Sequence, residues 1–257
     1  MTPVAPVALE VEDVSVRFGG IVALDSVSLS VSAGQIVGVI GPNGAGKTTL
    51  FDVISGARTP DGGVVRMDGA VVTDRSAVWR ARHGMRRTFQ HRQLFGALSV
   101  EDNLLVAQEW EGKSGGIVLQ MLGVPWGRTR AAQRRARAEA MLEVCGLGEI
   151  RHRPAGSLPI GQAQLVELAR AVVDGPRILL LDEPSSGLGP VEQDLLSRSI
   201  RRIQRDGSCG ILLIEHDVGF VMDHCDQVVV LNVGTRIAGG SPEEVQQDPL
   251  VRSAYLG

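Results

Sequence analysis

Lysine is almost absent from this sequence. Of the 26 basic side chains among 257 residues, only Lys47 and Lys113 are lysines and the rest are arginines. Aromatics are scarce too, at 4%, which leaves little material for a ring-rich binding surface. The three cysteines, Cys145, Cys209 and Cys225, form no CxxC pair and have no histidine at zinc spacing, so a disulfide framework or a zinc finger is excluded. They read as small packing residues, and their odd number predicts a reducing compartment. There is no excess of positive charge, since the net is -3, and electrostatic capture of nucleic acid is not expected. Long apolar runs are missing as well. The longest, around Ile178–Leu181 and Ile211–Ile214, fall far short of the about 18 residues of a spanning helix. Met1 to Leu9 has no basic segment followed by an apolar one, as a secretory leader would. The expectation is a cytosolic chain that neither is secreted nor crosses a membrane, with a membrane-bound partner left open.

What is present is glycine, 32 of it, and 44% hydrophobic residues, enough for a sizeable core. Val7 to Val16 and Val27 to Val31 alternate apolar and polar residues, predicting half-buried antiparallel strands. Gln35 to Ile40, Ile178 to Leu181 and Gly210 to Ile214 are instead continuous apolar runs, typical of strands buried on both faces. Asp61-Gly-Gly and Asp68-Gly69 punctuate two shorter strands. Helical spacing marks Lys47 to Ser55, Val100 to Gln108, Ala131 to Val144, Gln162 to Val173, Val191 to Arg205 and a short stretch ending at His224; two further strands are read at Gln227–Asn232 and Thr235–Ala238. The predicted fold is α/β, a mostly parallel sheet covered on both faces, with an antiparallel β part at the start and a helical segment, about 91–157, inserted between its halves. Arg128, Arg130, Arg134, Arg135 and Arg137 read as a solvated helix face, and Val118 to Trp126 as packing inside the helical segment.

Chemistry concentrates in two places. Gly41-Pro42-Asn43-Gly44-Ala45-Gly46-Lys47-Thr48 satisfies G-x-x-x-x-G-K-[ST] between a buried strand and a helix, the context a P-loop requires. Its glycines let main-chain N–H groups converge on phosphate oxygens, and the helix N-terminus adds partial positive charge. Lys47 is placed to reach the β- and γ-phosphates and Thr48 to hold Mg²⁺. The second place is Ile178-Leu-Leu-Leu-Asp182-Glu183. Asp182 stands at the carboxyl end of its strand, where ligands collect in open α/β sheets, and suits Mg²⁺. Glu183 follows it as a general base for the attacking water.

The order of further motifs resembles the ATP-binding cassette (ABC) ATPases over essentially the whole chain. Phe18-Gly-Gly, the P-loop, Gln90, Leu158-Pro-Ile-Gly-Gln162, Leu181-Asp-Glu-Pro-Ser-Ser-Gly-Leu188 and His216 run in that family's sequence. Arg87-Thr-Phe-Gln90, Leu94-Phe95, Val100-Glu-Asp-Asn-Leu104 and the tail from Gly240-Ser-Pro-Glu-Glu to Ala254-Tyr-Leu-Gly257 resemble the ATP-binding subunits of branched-chain amino acid importers. The resemblance implies a nucleotide-binding domain over 7–240, with 91–157 as its helical subdomain, and a subfamily tail over 241–257. It implies ATP and Mg²⁺ as cofactors. Phe18 would stack on adenine, Thr49 would join Gly41 to Thr48 around the phosphates, and Gln90 would sense the γ-phosphate through the metal, which Thr48, Gln90 and Asp182 would hold. His216 would contact the γ-phosphate and keep Glu183 in register. Such ATPases pair head to tail, so Gly161 and Gln162 would meet the ATP of a second subunit.

The implied partners are membrane permease subunits, a second ATP-binding subunit and, indirectly, a solute-binding protein, at the cytoplasmic face of the membrane. Nucleic acid is not among them. Two positions depart from the family pattern. Pro159 stands where the signature has serine, and Gly189 where the following loop has Asp or Asn. Both belong to elements that act on the partner's ATP, which predicts a heterodimer, with two identical chains as the alternative. Competing readings are an importer of another small solute, a soluble ABC ATPase acting on DNA or ribosomes, and a P-loop kinase. The last leaves Leu158 to Gln162, Glu183 and His216 unexplained.

Overall fold

The computed structural model describes residues 6–88, 93–109 and 126–256, with backbone alone at 126–129 and 254–256. Strands β1 (Val7–Phe18) and β2 (Ile21–Ser32) open the chain. The larger buried side chains of β1 are Leu9 and Val11, then Val14 and Val16, with small Ala8 buried beside them, so the alternation changes phase between Val11 and Val14. The structure resolves this with a bulge there and a left-handed Asp13 at φ +49°. The extra residue keeps both apolar pairs on one face.

Strand β3 (Ile36–Ile40) is buried throughout and leads through the glycine-rich turn into helix α1 (Lys47–Ser55). Then follow β4 (Gly62–Met67), β5 (Ala70–Val71), α2 (Ala77–Arg82) and β6 (Met85–Arg87). The middle of the chain is helical: α3 (Val100–Ala107), α4 (Trp126–Val144) and α5 (Ile160–Val172). Strand β7 (Ile178–Asp182), α6 (Pro190–Arg205), β8 (Gly210–Ile214), α7 (Val218–His224), β9 (Gln227–Asn232) and β10 (Thr235–Gly240) continue the alternation, and α8 (Pro242–Gln247) and α9 (Pro249–Leu256) end it.

Two sheets result. One is antiparallel in the order β2-β1-β4-β5, and the other has the order β10-β9-β3-β8-β7-β6. In the second sheet every pairing is parallel except that of β10 with β9. One apolar cluster joins both sheets through α1: Leu50, Phe51 and Ile54 pack with Leu9 and Val65 of the first and with Leu180 and Leu212 of the second. This fixes the start of α1 beyond the carboxyl end of β3, the ligand-binding end of a parallel sheet.

The chain forms two compact units. The first comprises Met1–Gln90, Pro176–Ser186 and Arg201–Gly257, and holds both sheets; the second comprises His91–Gly175 and Gly187–Ile200. The second therefore takes in α5 and most of α6 as well as the segment read as helical from sequence. Within it, α3 packs against α4 and α5. Ser99 caps α3 by accepting the Asp102 N–H at 3.0 Å. Ala138 and Leu142 are the buried face of α4; of the arginine run Arg130, Arg135 and Arg137 are exposed and Arg134 is half-buried, while the Arg128 side chain lies outside the described residues. Lys113 and the stretch from Val118 to Pro125 lie outside the described residues.

Candidate nucleotide site

The glycine-rich turn works because side chains are missing where the backbone must close up. A Cβ at Gly41 would run into the Leu231 carbonyl of β9. Gly46, the N-cap of α1, has φ +102°, and a Cβ there would come within 2.6 Å of the Ala23 carbonyl. Both positions form a cradle that any other residue would fill. Ala45 is buried, Pro42 and Thr49 are half-buried, and Asn43, Gly44 and Thr48 are exposed at the rim. Lys47, only 6% exposed, folds back over the turn and donates to the carbonyls of Gly41 at 2.6 Å and Pro42 at 3.1 Å. Burial lowers its pKa, and the nearby Glu183 carboxylate partly restores it.

Across from this turn the chain makes a strained corner. Glu183 adopts φ +49°, a left-handed backbone that costs a non-glycine residue about 1–3 kcal/mol. Neighbours hold it there: its N–H donates to the Ile214 carbonyl at 2.9 Å, and the Ser185 N–H donates to Glu215 Oε1 at 2.7 Å. The Glu183 side chain, 18% exposed, meets His216 Nε2 at 2.6 Å. Glu215, nearly fully buried, also accepts the His216 N–H at 3.2 Å. One carboxylate thus ties the turn bearing Glu183 to the residue that touches Glu183. Burial raises the Glu215 pKa, and the Ser185 and His216 donors oppose that rise. The sequence reading passed over Glu215; its signal was a carboxylate ending an otherwise apolar strand, directly before His216.

Asp182, at the end of β7, has a side chain 5% exposed and accepts from Arg87 Nη2 at 3.0 Å. Burial pushes its pKa up, and Arg87 holds it down. Among the described residues, no group of three or more His, Cys, Asp and Glu could hold a metal ion. The donors supplied here are the Thr48 hydroxyl and the Asp182 carboxylate, hard oxygens few in number. That donor set fits Mg²⁺, which takes one or two protein oxygens and completes its shell with phosphate oxygens and water.

Phe18, 44% exposed at the end of β1, carries the Arg58 guanidinium over one ring face at 4.0 Å from the centroid. A base stacking on Phe18 would use the opposite face. Gln90 lies outside the described residues.

The remaining residues belong to the second unit. Pro159 is the N-cap of α5, with no side-chain cap, and Gly161 is buried in the first turn. A Cβ at Gly161 would overlap the Glu192 side chain, and one at Gly189 would lie 2.8 Å from Glu192 Oε2. Glu192 therefore packs beside both elements. Gln162 Oε1 is buried with no hydrogen-bond partner among the described residues.

Residues 24–186 match the family model described as ABC transporter, and 235–257 match that described as branched-chain amino acid ATP-binding cassette transporter. The chain belongs to the ABC transporter ATP-binding family. The cassette is 40% identical over 249 residues to the high-affinity branched-chain amino acid transport ATP-binding protein BraF of Pseudomonas aeruginosa, covering 97% of each chain. It is 41% identical, with the same coverage, to LivG of Salmonella typhimurium, which bears the same description. Among solved structures it resembles the ADP conformation of MJ1267, an ATP-binding cassette of an ABC transporter, at TM-score 0.83 and 31% identity over 98% of this chain and 99% of that one. No helix among the described residues of the cassette is long and apolar enough to cross a membrane.

Proposed function

We propose that this chain is the ATP-hydrolysing subunit of an importer for branched-chain or related amino acids, driving uptake through separate permease subunits from the cytoplasmic face of the membrane. The observation that carries the hydrolytic part is the 2.6 Å contact of Glu183 with His216, on a strained corner beside the P-loop. Glu183 takes the proton of the attacking water as it adds to the γ-phosphorus. His216 orients that carboxylate, and Glu215 fixes the His216 backbone. Lys47 leaves its carbonyl partners for the β- and γ-phosphate oxygens, a stronger charge-assisted interaction. Thr48 and Asp182 would hold Mg²⁺, and the bound ion would supply charge neutralisation for the phosphate oxygens. By the family resemblance Gln90 senses the γ-phosphate, and Phe18 stacks the adenine. The cargo class is supported by the BraF and LivG likenesses and by the 235–257 match.

Substitution of Glu183 by Gln tests the assignment, because the amide accepts no proton while the shape is kept. In the complex with its permease, ATP affinity is expected to stay near wild type and turnover to fall about 10²–10⁴-fold, with ATP-driven uptake of labelled leucine by vesicles lost in parallel. Near-normal turnover in Glu183→Gln removes that residue from the mechanism. Absence of any permease-dependent uptake by the wild-type complex overturns the transport assignment.

A further inference from the structure

Arg87 closes β6 and lies nearly buried, its side chain 11% exposed. Its guanidinium joins three elements of the first unit. Nη2 donates to Asp182 Oδ2 of β7 at 3.0 Å, and Nη1 donates to Asp52 Oδ1 of α1 at 2.7 Å and to Ser55 Oγ at 3.2 Å. The next residue completes the grip, since Thr88 Oγ1 accepts the Asp182 N–H at 3.2 Å. Asp182 is thus held by its side chain and by its main chain from two consecutive residues. Asp52 stands one helical turn after Thr48 on the helix that closes the P-loop. A flat guanidinium can bridge two carboxylates in fixed geometry; an ammonium is a point charge that serves one well.

Resting on the proposed role of Thr48 and Asp182 as metal-binding residues, we propose that Arg87 is a positioning residue. By bridging Asp52 to Asp182 it fixes the P-loop helix against the carboxylate of β7, and so sets how much Mg²⁺ adds to nucleotide binding. Arg87 needs no contact with nucleotide for this. It acts by holding one oxygen of Asp182 so that the carboxylate keeps a single orientation relative to Thr48.

The experiment reads the Kd of the full chain for ATP in excess EDTA and in excess Mg²⁺, and takes their ratio. Asp182→Asn should collapse the ratio. Arg87→Lys keeps the positive charge but loses the bridge, so binding in EDTA should hold while the ratio falls by about 10-fold. Asp52→Asn removes the charge at the α1 end and leaves at most a neutral hydrogen bond there, so it should lower the ratio in the same direction, less strongly. If Asp182→Asn leaves the ratio intact, the metal assignment itself fails. If Asp182→Asn lowers it but Arg87→Lys and Asp52→Asn do not, the assignment stands and the Arg87 proposal is overturned. Equal losses with and without Mg²⁺ in Arg87→Lys also overturn it, since they mark a packing role. Should Arg87→Lys not fold, Asp52→Asn decides alone, because its side chain is 37% exposed and its amide is nearly isosteric.

Discussion

Lys47 stands out in the sequence because lysine is so rare there, and the structure gives its charge a buried, partnered setting. Its ammonium is desolvated and parked on two carbonyls, partners that hold a cation less strongly than phosphate oxygens do. Lys47→Ala should therefore weaken ATP binding by about 1.5–3 kcal/mol, roughly 10–100-fold in Kd. Lys113→Ala, outside every motif of the site, should leave it within experimental error. Calorimetric titration of the full chain with Mg-ATP compares the two, and equal effects would contradict the site assignment. Spacing along the chain singles out Gly41, Gly46, Lys47, Asp182 and Glu183, and the structure shows the two glycines where a Cβ would clash and Lys47 buried over the turn. The sequence was blind to residues whose partners are distant along the chain. Arg87 is 35 residues from Asp52 and 95 from Asp182, and Arg58 reaches Phe18 with no motif to announce it. One arginine among many gives no sign of which is buried.

The elements show the same division. Continuous apolar runs identified β3, β7 and β8, because strands buried on both faces must be apolar at every position. Helix α2 and strand β6 were missed, being six and three residues long, too short for periodicity to register. Helix α5 starts at Ile160, two residues before the expected start at Gln162, since a proline at the N-cap sacrifices no helical hydrogen bond. The tie that anchors α1 was equally hidden. Arg80 of α2 is fully buried and donates to the carbonyls of Val53 and Ile54 in the last turn of α1, and to those of Val72, Thr73 and Arg75. A cation there satisfies the negative end of the helix whose positive end faces the phosphates. Burial brings the Arg80 pKa down to about 10, with Asp74 opposing the shift, so the side chain stays charged at neutral pH. Arg80→Met would strand those carbonyls away from water and should destabilise the chain by about 3–5 kcal/mol. Arg80→Lys, with three donors for five carbonyls, should fall in between. Urea unfolding of the three proteins measures this ordering, and an unchanged midpoint for Arg80→Met would show that α1 does not depend on the tie.

For the whole molecule, the division into two units has a functional counterpart. Lys47, Asp182, Glu183 and His216, to which the proposed mechanism gives the ATP bound by this chain, all belong to the first unit, whereas Pro159, Gly161 and Gly189 belong to the second. The departures from the family pattern fall only on the second set. Pro159 offers α5 no hydroxyl and no side-chain cap, and Gly189 offers no side chain where the family has Asp or Asn. We infer an asymmetric pair: this chain's own site is completed by the signature loop of a different ATP-binding subunit, while the site it completes in return is weak. A lost hydrogen bond to phosphate costs about 1.5–3 kcal/mol, and main-chain N–H groups at the start of α5 recover part of that. The purified chain, forced to pair with itself, should accordingly be a poor ATPase. Pro159→Ser should raise that activity by up to roughly 10-fold, because it returns a hydroxyl to the signature position. In the complex with the second subunit, Pro159→Ser should alter turnover far less than Glu183→Gln does. Steady-state phosphate release from the lone chain and from the complex separates these outcomes. Full activity from the lone wild-type chain, unchanged by Pro159→Ser, would mean that two copies of this chain make two equivalent sites.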